Sequence, residues 1–64
     1  MAGREDDLPF RIELWDEKDL HVEELIALTS DFFAASCAYQ EAVQRRPGKI
    51  ITLRQKTRVI KKSR

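Results

Sequence analysis

The sequence predicts a small α+β fold: strand, one long helix, then a strand or hairpin, with the helix covering one face of the sheet. Three observations carry this prediction. Phe10–Trp15 alternates apolar and polar residues, Lys49–Ile60 is β-branched and alternates again, and the stretch between them spaces its apolar residues as a helix does.

In the first segment, Phe10, Ile12 and Leu14 fall on one face and Arg11, Glu13 and Trp15 on the other, as in a half-buried strand. Residues 1–8 are polar and acidic with little to bury and are expected to fray. Asp16 to Asp19 reads as a polar turn, with Asp19 capping the next helix and Glu23 and Glu24 at its positive end.

Leu20 to Arg45 contains neither Gly nor Pro, and Val22, Leu25, Ile26, Thr29, Phe32, Phe33, Ser36, Tyr39 and Val43 recur at helical spacing. A helix of about seven turns is expected. Arg45, Arg46, Pro47 and Gly48 mark its end: the cations suit the negative terminus, proline cannot continue the ladder and glycine permits the exit. The bulky side chains fill half its circumference, while Glu23, Glu24, Asp31, Glu41 and Gln44 occupy the rest, with Ala27, Ala34 and Ala38 between them.

From Lys49 to Ile60, one parity places Ile51, Leu53 and Val59, with Thr57, toward the core and Thr52, Arg54, Lys56 and Arg58 outward. One long strand, or a loose three-residue reversal at Gln55 to Thr57, fits this pattern. A two-residue hairpin at Gln55-Lys56 lacks the Asn-Gly or Gly that such turns prefer. Residues 61–64 are expected to fray.

The 64 residues suffice for one domain, 1–64, with little core to spare. Two or three strands and one helix leave a sheet face and its edges uncovered, so a homodimer is expected, continuing the sheet or packing helix on helix. Trp15, Ala34, Ala38 and Tyr39 are the candidate dimer contacts. Cys37 stands alone, which excludes an internal disulfide and suits a reducing compartment. With His21 it gives at most two metal ligands, so no metal or other cofactor is expected. The acidic start is unlike a signal peptide, and no segment approaches the roughly 20 apolar residues of a membrane span. A cytoplasmic protein without a membrane partner is expected.

Catalysis finds no constellation. Cys37, Ser30, Ser36 and Thr29 are possible nucleophiles, but His21 is the one imidazole, about 24 Å from Cys37 at helical rise. Cys37 in its apolar run reads as packing, and His21 as a solvated residue in the first helical turn. The carboxylate pairs Asp6-Asp7, Asp16-Glu17 and Glu23-Glu24 read as solubility and helix-start electrostatics. No glycine-rich phosphate loop is present. Neither a catalytic residue nor a small-molecule substrate is inferred.

The charge is sorted along the chain. Ten of the eleven acids lie at or before Asp31, whereas nine cations and no acid follow Glu41. On a strand, Arg54, Lys56 and Arg58 would repeat about every 6.8 Å, near the phosphate spacing of nucleic acid, and Lys61, Lys62 and Arg64 would extend the stripe. Arg54, Lys56, Arg58, Lys61 and Lys62 are therefore candidate contacts for nucleic acid or an acidic protein. No aromatic interleaves with them in sequence, and the net charge is only +1.

Phe10 to Asp16, His21 to Leu25, Arg46 to Gly48 and Ile51 to Ile60 resemble segments of short uncharacterised bacterial proteins. That resemblance spans nearly the whole chain, carries no activity or site residue with it, and implies a complete bacterial cytoplasmic protein. The function expected from the residues is a non-catalytic protein-interaction or regulatory module acting as a homodimer. The alternative is a small nucleic-acid-binding protein using the basic C-terminal segment.

Overall fold

The alternation from Phe10 to Trp15 becomes strand β1 (Phe10–Trp15) in a computed structural model that describes residues 9–64. The frayed tail expected over residues 1–8 lies outside the described residues. Beyond β1 come β2 (Val22–Thr29), helix α1 (Phe32–Arg45), β3 (Ile50–Gln55) and β4 (Arg58–Lys62). The four strands form one antiparallel sheet in the order β2-β1-β3-β4. The fold is α+β with one sheet face under the helix, as the sequence predicts, but the element order is not strand-helix-strand.

The expected helix over Leu20–Arg45 is half strand. Val22–Thr29 pairs with β1, and twice the register shifts: Ile12 faces Ala27 but Glu13 faces Leu25, then Leu14 faces Glu24 but Trp15 faces Val22. Ile26 and Glu23 are thus extra residues in two bulges, which bend a strand and increase its twist. Neither Asp19 nor the pair Glu23-Glu24 stands at a helix start. Asp19 lies in the β1–β2 turn with φ at 60° and pairs with Lys62.

The helix begins where polar residues break the strand. Asp31 is its N-cap, accepting from the Phe33 amide at 3.0 Å while its carbonyl accepts from Ala35 at 2.9 Å. Its far end matches expectation. The Arg46 amide closes on Ala42, and Gly48 takes a φ of 80°, a left-handed turn that glycine enters without strain. Ala35 and Ala42, two turns apart, bring the helix close to the sheet.

The core is Ile12, Ile51 and Leu53 from the two central strands with Ala35 and Ala42 from α1. Phe10, Leu14, Ile26, Ala27, Ala38, Tyr39, Val43 and Ile60 pack around it. Cys37, read as packing, is exposed instead.

Residues 49–60 do fold back within the expected Gln55 to Thr57, but through a two-residue loop at Lys56-Thr57 rather than a loose three-residue reversal or one long strand. Gln55 faces Arg58, and Lys56 supplies the positive φ, 58°, that primed hairpin turns require at their first central residue. A third bulge, between Leu53 and Arg54, makes Arg54 face Val59 while Leu53 faces Lys61. Ile60 therefore packs on the core, and Val59, expected there, is half exposed. The last four residues are not a loose tail: Lys61 and Lys62 belong to β4, and Ser63 bonds both Ile51 and Lys49. Among the described residues no helix is long and apolar enough to cross a membrane.

Candidate interaction face

Among the described residues no element covers the sheet face opposite α1. Its residues follow from the register. Leu28, Arg11, Arg54 and Val59 form one row across the strands, then Leu25, Glu13, Thr52 and Lys62, then Val22, Trp15 and Ile50. Along β2 the bulges place Val22, Leu25 and Leu28 on this face at intervals of three. All three are substantially exposed, Leu25 at 45% and Leu28 at 54%, as is Leu20 in the adjoining turn.

The central strands carry a charged cluster. Glu13 Oε2 accepts from Arg54 Nη2 at 2.9 Å and lies 3.4 Å from Arg11 Nε. The Glu13 side chain is only 4% exposed, whereas Arg54 keeps 26% and Arg11 44%. The carboxylate is hidden beneath two guanidinium groups, so the surface it shares with them is cationic. Arg54 also lies over the Trp15 ring at 5.9 Å, within cation–π range, and the Trp15 indole donates to Thr52 Oγ1 at 2.8 Å. Glu13 Oε1 and Arg54 Nε are buried with no hydrogen-bond partner among the described residues.

Beyond Trp15 the face ends at the acidic β1–β2 turn. Asp16 Oδ1 accepts from the Leu20 amide at 2.8 Å and from the His21 amide at 3.4 Å. These amides, Leu20 first, and the nearby His21 ring hold its carboxyl below the ordinary value of 3.8. His21 thus sits in this turn rather than in a helix. Between this turn and the α1–β3 turn lies an open depression of about 780 Å³, lined by Trp15, Glu17, Glu23, Lys49, Ile50 and Arg64 among others. Its lining carries the acids Asp16, Glu17 and Glu23 as well as the bases Lys18, Lys49 and Arg64.

The predicted basic stripe is not one row. Arg54 is tied to Glu13, Lys56 and Arg58 stand at the β3–β4 hairpin, and Lys62 pairs with Asp19. Lys61 falls on the helix side, 6.0 Å from the Tyr39 ring. The four candidate dimer contacts are likewise dispersed. Trp15 is on the open face, Ala38 and Tyr39 pack against the core, where burial raises the Tyr39 phenol above its ordinary 10.0, and Ala34 is exposed on the helix. Sequence reasoning missed Val22, Leu25 and Leu28 as a sheet-face group, and missed the burial of Glu13. For Glu13 the signal was present, since it lies between Arg11 and Trp15 on the face assigned outward.

No protein-family model matches this chain, nor does any curated protein or solved structure.

Proposed function

We propose that this protein is a non-catalytic interaction module that acts as a homodimer, with the open sheet face as its contact surface. The observation that carries the reading is the exposed row Val22, Leu25 and Leu28 beside Trp15 on a face that no element among the described residues covers. A contiguous apolar patch of this kind marks an association site.

The sheet edges are the less suitable surfaces. Strand addition needs a regular edge, and β2 is bulged twice while β4 is bulged once and carries Arg58, Lys61 and Lys62. Both devices obstruct edge pairing, so the face and not the edge receives the second copy. The nucleic-acid reading loses its main support with the dispersal of the basic stripe, since Lys56 and Arg58 alone make a short phosphate-binding track. Leucines flanking Arg11 favour a protein surface.

The test is molar mass by light scattering at micromolar concentration. Two chains are expected for the wild type and one for Leu25→Asp, with unchanged far-ultraviolet circular dichroism. A wild type of one chain overturns the reading.

A further inference from the structure

Resting on that homodimer reading, we propose that the second copy docks about a two-fold axis that runs across the strands at the level of Leu25, with the contact concentrated on the β2 half of the face. Two in-plane axes can bring one sheet face onto its own copy. An axis along the strands through the sheet centre sets β2 over the partner's β4 with like ends together. An axis across the strands sets β2 over the partner's β2 with the ends exchanged.

The register distinguishes them. Along the strands and through the sheet centre, Leu25 would meet the partner's Lys62 and Arg11 the partner's Arg54, placing a cation on a leucine and a cation on a cation; moved over β2, the same axis would stack Leu25 on Leu25 but set the acidic turn with Asp16 and Glu17 beside the partner's own. Across the strands, Leu25 meets the partner's Leu25, Leu28 meets the partner's Val22, and Arg11 meets the partner's Trp15. The apolar row then closes on itself, and a guanidinium meets an indole face.

Charge agrees on the β2 side. Exchanging the ends carries the acidic turn, with Asp16, Glu17 and Glu23, toward the partner's Arg11, whose own carboxylate is buried. On the β4 side the same axis would set Lys62 on the partner's Lys62 and bring Lys56 and Arg58 toward the partner's Lys49. Those like charges part the β4 flanks and confine the contact to the β2 half of the face. Contact through half of each face also leaves the cationic hairpin at Lys56-Thr57 free in the dimer.

Cross-linking tests the axis. With Cys37→Ser as background, a short bismaleimide is applied to Leu25→Cys, Leu28→Cys, Val22→Cys and Val59→Cys proteins of native circular dichroism. Leu25→Cys is expected to give a covalent dimer alone, Leu28→Cys chiefly when mixed with Val22→Cys, and Val59→Cys none. Efficient linking of Leu28→Cys to itself, or of Leu28→Cys to Val59→Cys without a Leu25→Cys product, overturns this axis while leaving the homodimer reading intact. A wild type of one chain overturns both. As a check free of cysteine substitution, Glu17→Lys combined with Glu23→Lys weakens dimerisation about tenfold or more, and an unchanged dissociation constant counts against the axis.

Discussion

Arg54 and Glu13 are not equivalent partners, and substituting each in turn exposes the difference. The Glu13 side chain is 4% exposed and cannot recover water if its guanidinium is removed, whereas Arg54 and Arg11 retain access to solvent. Removing one member of a buried pair costs about 3–5 kcal/mol. Arg11 remains 3.4 Å from Glu13 and answers part of its charge, so Arg54→Met falls at the lower end, about 3 kcal/mol. Glu13→Gln keeps the shape and one acceptor and leaves only cations that can reach water, costing about 1–2 kcal/mol. Replacing both, as Glu13→Leu with Arg54→Met, removes the charge and its partner together and returns stability to within about 1 kcal/mol of the wild type. Urea unfolding at fixed protomer concentration reads these differences through Trp15 fluorescence, because that ring lies against Arg54. With a slope of about 1 kcal/mol per molar urea for so small a chain, the Arg54→Met midpoint falls by about 3 M. A Glu13→Gln midpoint as low as that of Arg54→Met, or a double variant no better than Arg54→Met, would refute the reasoning.

Three other perturbations follow from local geometry. Asp31→Ala removes the cap accepting from Phe33 and lowers stability by about 1 kcal/mol, measured by urea titration. Lys56→Gly relieves a positive φ at an exposed hairpin position and raises stability by about 1 kcal/mol, visible as a higher thermal midpoint. Asp16 titrates below 3.8 in the folded chain, so between its lowered value and 3.8 the unfolded chain binds the extra proton and stability rises with pH. The contribution is complete above that range and lost as pH falls through the folded value. Asp16→Asn should flatten this part of the acid limb in a series of urea midpoints.

The central strands were legible because their periodicity survives folding. Phe10, Ile12 and Leu14 alternate, as do Ile51 and Leu53, and these five residues build or line the core. The end of α1 was equally plain from Arg45, Pro47 and Gly48. β2 was illegible for a definite reason: its two bulges convert the spacing of two into one of three, so Val22, Leu25 and Leu28 repeat almost as a helix face does. The break at Ser30-Asp31 contains no Gly or Pro, which let the false helix run on into the true one. The same effect hid the hairpin, since Lys56 adopts a turn conformation usually given to glycine and the bulge exchanges Val59 for Ile60 at the core. Of the candidate site, Trp15 was placed on the outward face, but the leucine row beside it depended on a strand the pattern concealed.

The sheet order has a kinetic consequence. Each outer strand joins its inner neighbour through a local hairpin, but the seam between β1 and β3 unites residues such as Trp15 and Thr52, 37 positions apart. Contacts distant in sequence slow folding because the intervening chain must be closed before they form. The slow step is therefore the meeting of two hairpins, with α1 as the tether between them. Lengthening the connection between Thr29 and Ile50 should retard folding more than lengthening either hairpin turn.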